Sequence, residues 1–497
     1  MSTYLEHIGR YAGADGRLND FISLRDGRVI FADTIDLLEL ARAHNTPLEL
    51  SFCPLITGRV AAMRAHFAAA RERAGYAGEF VYAYATKANF AEEVVRTAIN
   101  AGAHYETSSA FDVRIAHQLW RAGLLPADRF VFCNGSKEPA YLSAIRELRE
   151  AGFANVVPIL DDPEEFAALA DCPAPLLLGV RERKDAGDMA AGITYGYDRF
   201  GMGPAELAAL ADRVAASPHR LLVYHAMVGS QLEQREYWLA ELRESLAGYA
   251  QLRERAPELA YFNFGGGMPT GAYSLSFGFD YAEFAGQLLA DVAGWCQARG
   301  VPHPHLVGEF GRYTAADHGV HLFQVGRVKP GQAGSPPWYL LNGSLMVALP
   351  DILIVKGQQF ICLPLNHLGA EAGPAVLGGR RTCDSDDFYP REGDPELILP
   401  LVPGVGGREL GVRGQETRDA SSSSQPPSPS SEPLLIAFFG TGAYQAMLSG
   451  EGGAHHCLAP EAPKLIVEQQ GDQLVTRVIG EQSWDDVLGE LGYPIAR

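Results

Sequence analysis

Val81-Tyr82-Ala83-Tyr84-Ala85-Thr86-Lys87-Ala88-Asn89 is a short apolar, aromatic-rich run that ends on a single lysine. It reads as a buried strand, and a helical pattern opens at Glu92. An amine at such a strand end has two readings. One is a surface lysine in a strand-to-helix loop. The other is a partly desolvated amine of lowered pKa that forms a Schiff base with a carbonyl cofactor or substrate. The rest of the chain has to choose between them.

Working outward, strand-like runs alternate with helical ones. The runs are Phe80–Ala85, His104–Thr107, Arg129–Cys133, Asn155–Leu160, Pro175–Arg181, Leu221–His225, Tyr261–Phe264 and His305–Gly308. Between them lie amphipathic stretches such as Ala91–Asn100, Ala140–Ala151, Pro163–Ala170, Ala205–Ala216 and Tyr281–Arg299. Eight strands with helical crossovers predict an α/β chain with a closed parallel (β/α)8 barrel, an open doubly wound sheet being the alternative. Barrel chemistry sits at the C-terminal strand ends, and reactive residue types fall at each of them. They are Lys87, Glu106, Asn134 with Lys137, Asp161, Arg181, His225 to Ser230, Gly265 to Gly267, and Glu309 with Arg312.

From about Gly319 the pattern becomes short alternating runs broken by Gly and Pro, from Val320–Val325 to Gln473–Ile479, which predicts an all-β domain. Residues 1–50 read as an N-terminal segment partly packing with that domain, 51–318 as the barrel and 319–497 as the β domain. Gly404 to Glu432 is poor in apolar residues, with a Ser/Pro core at 421–431, and reads as a disordered inserted loop.

The composition bounds what such a chain does. With 497 residues, 47% hydrophobic and 20% charged, it is an ordinary globular sequence. No apolar run spans a bilayer, and Met1 to Asp20 is too polar for a secretory signal, so no membrane partner is expected. The seven scattered cysteines, with no CxxC among them, read as reduced thiols in the cytoplasm. A net charge of −19 disfavours nucleic acid and mildly favours cationic ligands.

Taken singly, the remaining motifs are weak. Gly265-Gly266-Gly267 after a strand suits an anion such as phosphate, although plain turns look the same. Glu309 and Arg312 could be a local salt bridge. Cys383-Asp384-Ser385-Asp386-Asp387 could be a solvated acidic turn or a loose cation site, and Gly440-Thr441-Gly442-Ala443-Tyr444 a structural turn.

Together they resemble one family. Tyr-Ala-Thr-Lys87-Ala-Asn, Glu106-Thr-Ser-Ser, Phe-Gly265-Gly-Gly, Glu309-Phe-Gly-Arg312-Tyr, Thr-Cys383-Asp384-Ser and Gly442-Ala-Tyr444 stand in the order seen in fold-type III pyridoxal-phosphate decarboxylases. These act on ornithine, arginine or diaminopimelate, and the resemblance runs from about residue 35 to 480. It implies a barrel of the alanine racemase type with a C-terminal β domain, and pyridoxal 5'-phosphate as cofactor, with no metal. Lys87 would hold the cofactor, with Glu106 near its phenolic oxygen. Gly265 to Gly267, Ser230, Arg312 and Tyr444 would bind its phosphate, and Arg181 would belong to the same cofactor set. Glu309 would pair with the pyridine nitrogen. Cys383, a proton donor, and Asp384 would reach into the site of a second subunit, giving a homodimer with shared active sites.

One departure stands out. His225-Ala226-Met227-Val228-Gly229-Ser230 replaces the family's usual x-x-His-x-Gly-Ser, so Met227 takes the place of the ring-stacking histidine, with His225 two residues earlier. A thioether also packs on aromatic rings.

For the substrate, Asp384 with Asp386 and Asp387 suits a distal positive charge. Cys133-Asn134-Gly135-x-Lys137, Glu106 and Gly442-Ala-Tyr-Gln445 resemble biosynthetic arginine decarboxylases. The expectation is therefore decarboxylation of L-arginine to agmatine, in polyamine biosynthesis, with ornithine, lysine and diaminopimelate as alternatives. Asp351 falls near the family's substrate-gripping turn. An amino-acid racemase of the same fold is disfavoured by Glu309, and a non-catalytic regulatory homologue by the presence of both Lys87 and Cys383.

Overall fold

The computed structural model describes residues 2–184, 199–332, 334–402 and 432–494. These form two units, one of 53–270 with 278–316, the other of 1–52, 271–277 and 317–497. The sequence boundaries at 51 and 318 therefore move by two residues, and the segment 271–277 leaves the first unit for the second. The inserted loop expected at 404–432 lies outside the described residues except for Glu432, which makes a two-pronged pair with Arg42 at 2.9 and 3.0 Å.

The first unit is a closed barrel of eight parallel strands. In chain order they are β1 (Phe80–Ala85), β2 (His104–Thr107), β3 (Val131–Cys133), β4 (Val156–Leu160), β5 (Leu177–Arg181), β6 (Arg220–His225), β7 (Tyr261–Asn263) and β8 (His305–Phe310). Closure is made by β8 against β1, with Glu309 level with Ala83. Residues of alternating direction fill the interior, among them Val81, Ala83, Phe132, Val157, Ile159, Val223 and Val307. Each large apolar side chain so buried stabilises the unit by roughly 1.5–3 kcal/mol.

The crossover helices obey the ordinary start and stop rules. Tyr281–Arg299 begins where the Asp280 side chain accepts the Glu283 N–H, and ends at Gly300 with φ +66°. Between these caps it buries Phe284, Leu288 and Val292 at fourfold spacing. The helix Pro54–Ala74 sends Phe67 onto Phe80 of β1, ring centroids 3.7 Å apart. None of the described helices is long and apolar enough to cross a membrane.

The second unit is built on a mixed nine-stranded sheet. Its long strand Gly319–Lys329 pairs antiparallel with Trp338–Leu341, with Leu435–Phe439 and with Leu48–Phe52. Leu48–Phe52 also runs parallel to Lys464–Gln470. Leu48, Leu50 and Phe52 are buried, as are Leu465 and Val467 beside them. Short helices, Leu345–Ala348 and Asp351–Ile354, and a last one at Trp484–Glu490 interrupt the β pattern.

Candidate active site

At the C-terminal ends of the barrel strands, buried polar groups gather around two glutamates. Glu106 lies one residue before the end of β2 and Glu309 one before the end of β8, both shut away from solvent. One nitrogen, Nδ2 of Asn134, donates to Glu106 Oε1 at 2.8 Å and to Glu309 Oε2 at 2.9 Å. Asn263, on β7, donates from Nδ2 to Glu309 Oε1 at 2.6 Å, while its Oδ1 accepts the Gly265 N–H at 2.8 Å. His225 ends β6, buried, with Nε2 3.4 Å from Glu309 Oε2.

The two carboxyls are driven apart in acidity. Burial pushes Glu106 up to about 8, with the Lys87 ammonium opposing and the Glu309 charge adding to the rise. Burial would raise Glu309 too, but the nearby His225 and the amides of Asn263 and Asn134 outweigh it and hold its carboxyl down at about 2. Near neutral pH the first is a neutral acid and the second an anion, which is how environment separates two like groups.

Lys87 sits in the single turn Thr86–Ala88 that follows β1, exposed although its neighbours are buried. Protein groups alone thus do not desolvate the amine; what they supply beside it is the Glu106 carboxyl. The glycine run leaves β7 with its first two N–H groups engaged, Gly265 on Asn263 and Gly266 on the Met227 sulfur at 3.3 Å. Sulfur is a weak acceptor, so the second is readily redirected to an anion. Gly267 has φ +96°, and a Cβ there would meet Gly229 O at 2.7 Å. Only glycine lets this loop pass so close to the chain after β6. Met227, half-buried, therefore packs on the loop. Arg181 lies over the Phe200 ring at 4.6 Å, Arg312 opens the short helix Arg312–Ala315, and Ser230 is exposed.

Two strand-end residues have structural work instead. Lys137 is buried, with Nζ 2.7 Å from Gly135 O and 3.0 Å from Glu165 Oε2. Asp161 accepts the Gly201 N–H at 2.9 Å.

In the β unit, Gln445 donates to Asp351 Oδ2 at 3.2 Å, and Tyr444 beside it has the left-handed φ of +64° that bulky residues rarely adopt. Asp351 is buried and Tyr444 half-buried. The acidic cluster separates into different roles. Asp387 is buried, its Oδ1 accepting the N–H groups of Leu345 and Met346 at 2.7 and 2.9 Å and its Oδ2 the Thr382 hydroxyl at 2.6 Å. Asp386 lies 3.7 Å from Arg391. Of the expected three-acid group only Asp387 is thus turned inward, and Asp384 and Asp386 stay exposed beside Cys383.

The barrel mouth has features that fit a planar, polar cofactor. Glu106 Oε2, Asn134 Oδ1 and His225 Nδ1 are buried and make no hydrogen bond among the described residues, which is costly unless another polar group meets them. An anion at Glu309 and a glycine loop that admits only backbone complete the set. Sequence reading had placed no role on Asn263, hidden inside an apolar strand.

Comparison with known proteins agrees. Residues 60–316 match the family model "Pyridoxal-dependent decarboxylase, pyridoxal binding domain". The biosynthetic arginine decarboxylase of Thermosynechococcus vestitus is 24% identical over 311 residues, 59% of this chain and 49% of that enzyme. The chain spans about half the length of the bacterial relatives it matches. Among solved structures, the biosynthetic arginine decarboxylase of Campylobacter jejuni superposes with TM-score 0.77 at 19% identity, over 99% of this chain and 93% of that one. Diaminopimelate decarboxylase of M. jannaschii gives 0.75 at 18%, over 95% and 98%. The shared fold therefore does not choose a substrate.

Proposed function

The chain belongs to the pyridoxal-dependent decarboxylases, and from that membership we propose that it removes the α-carboxylate of a basic L-amino acid, L-arginine first, giving agmatine and carbon dioxide. Relatives matched over 59%, 63% and 89% of this chain are arginine decarboxylases. Ornithine, lysine and diaminopimelate are the competing substrates.

The observation that carries the reading is the anionic Glu309, held by Asn134, Asn263 and His225 at the end of β8. Pyridoxal 5'-phosphate, when bound, supplies the electron sink for the bond that breaks. Lys87 is the residue to hold it, and the glycine loop with Ser230, Arg312 and Tyr444 the group to hold its phosphate. Glu309 keeps a proton on the pyridine nitrogen, because an anion in a buried site favours a cation beside it. Glu106, uncharged near neutral pH, offers an O–H to an oxygen near Lys87. Met227, standing where the family places histidine, would offer its thioether to the cofactor.

Release of carbon dioxide leaves the substrate Cα short of a proton. Cys383 supplies it. The thiol form of this side chain carries the proton to give. Asp384 meets the distal cation of the substrate, and Asp351 is a second substrate-binding residue. In this reading both loop residues serve the site of a second copy, so the enzyme works as a homodimer. We place it in the cytoplasm, in polyamine synthesis, in keeping with seven free cysteines and biosynthetic relatives.

The test is to incubate the holoenzyme separately with arginine, ornithine, lysine and diaminopimelate, following carbon dioxide and identifying the amine by mass. Agmatine from arginine is expected, and consumption of diaminopimelate alone would overturn the assignment. Lys87→Ala should lose both turnover and the cofactor retained through gel filtration; retention would move the attachment point elsewhere.

A further inference from the structure

The loop carrying Cys383 meets a second set of donor atoms that the reaction above does not use. Cys457 Sγ lies 3.4 Å from Cys383 Sγ and 3.8 Å from Asp384 Oδ2. The ligand atoms of Cys383, Asp384 and Cys457 all fall within 4.8 Å of one another. Beside them, His456 is paired through Nε2 with Asp384, and the same nitrogen is 3.4 Å from Cys457 Sγ.

This spacing is informative. The thiols are free, and 3.4 Å is far beyond a disulfide bond of about 2.0 Å. A tetrahedral zinc ion, bonded at about 2.3 Å to sulfur and about 2.0 Å to oxygen, sets its ligand atoms roughly 3.3–3.8 Å apart. Two sulfurs so bound stand about 3.8 Å apart and a sulfur and an oxygen about 3.5 Å, so the 3.4 Å and 3.8 Å separations need shifts of only about 0.4 Å to receive the ion. Two thiols and a carboxylate, with an imidazole at hand, suit a borderline-soft divalent cation better than calcium or magnesium, which take oxygen. Cys457 and Leu458 are both held at left-handed φ, +54° and +52°, which turns an exposed tip toward the Cys383 loop at a conformation L residues rarely adopt.

We propose that Cys383, Asp384 and Cys457, with His456 fixing the Asp384 carboxylate, bind one zinc-class divalent cation, and that occupancy withdraws Cys383 from the reaction. On binding, each thiol loses its proton to solvent as a sulfur–metal bond forms, and no electrons change hands. In the single chain Cys383, Asp384 and Cys457 are all exposed. The second half of the statement rests on the role given to Cys383 above; the first does not. His456 acts as a positioning residue, the usual partner of a ligating carboxylate.

The experiment titrates the full-length holoenzyme, in a reducing buffer, with cobalt(II) and then zinc. One cobalt per chain with thiolate charge-transfer bands, displaced by zinc, is expected. Cys457→Ala should lose those bands, and His456→Ala should weaken binding by about 10–100-fold. Unchanged bands in Cys457→Ala, or the spectrum of hydrated cobalt throughout, would overturn the site. Zinc should also slow wild-type turnover while Cys457→Ala keeps basal turnover and resists zinc. Equal inhibition of both proteins would refute the withdrawal of Cys383. A wild type with no turnover before metal is added would instead count against the decarboxylase reading, with the cobalt titration still judging the site.

Discussion

The side-chain amide of Asn134 stands 2.9 Å from the Glu309 carboxylate, and the same nitrogen reaches Glu106 at 2.8 Å. One donor thus ties together two buried acids of opposite protonation. Two like carboxyls at this depth do not both ionise without a partner, and the asymmetry follows from what else each one touches.

Glu309→Gln keeps the size, removes the anion, and leaves one oxygen where two amide nitrogens donate. Turnover of the preferred amino acid should fall by about 10²–10³-fold, the scale of losing one electrostatic stabiliser in a dry site, while cofactor content changes little. A steady-state assay with cofactor absorbance checks both.

The pair also predicts a pH profile for the stability of the cofactor-free protein. Glu106 has an ordinary value of 4.5 and a folded value of about 8. Between these the folded chain binds the extra proton, so its contribution falls as pH rises across that window. Glu309, about 2 against 4.5, acts in the opposite sense, and its stabilisation is lost as pH falls from 4.5 toward 2. Thermal melts from pH 5 to 8 should show the decline, and Glu106→Gln should flatten it.

Gly267→Ala tests the loop. The new Cβ would sit 2.7 Å from Gly229 O at φ +96°, so a loss of about 1–3 kcal/mol is expected. Calorimetry of the cofactor-free variant should show it, together with weaker cofactor retention.

Within the acidic run, Asp387→Ala leaves the Leu345 and Met346 N–H groups without their acceptor and should cost about 1–2 kcal/mol. Asp386→Ala should stay within about 0.5 kcal/mol. Denaturant unfolding of the two variants separates a structural acid from a surface one.

Cys383→Ala should retain full cofactor content and lose about 10²–10⁴-fold in turnover, the span of one positioned proton donor. Product analysis in deuterated water should also show reprotonation losing its stereochemical preference.

The barrel was legible because its strands alternate with helices whose caps are written locally, as at Asp280 and Gly300. Phe80–Ala85, His104–Thr107 and Tyr281–Arg299 have the bounds read from the sequence. Strand ends were legible as places but not as roles. Lys137 and Asp161 are the same residue types at the same positions as the cofactor set, yet close structural bonds with Glu165 and Gly201. Asn263 escaped because a polar residue inside Tyr-Phe-Asn-Phe looks like an interruption, and only barrel closure turns it toward Glu309. Asp387 was grouped with its neighbours because sequence cannot show which carboxylate of a run turns inward. Cys457 was only one of seven scattered thiols, since 74 positions separate it from Cys383.

The strand Leu48–Phe52 lies between Gly319–Lys329 and Lys464–Gln470. On the ribosome it emerges before both of these neighbours. The barrel is complete by Ala316, so Leu48, Leu50 and Phe52 stay uncovered while it forms and are sealed only when the tail arrives. A nascent chain stalled or clipped before residue 464 keeps that apolar edge open, the kind of surface chaperones hold and aggregates recruit.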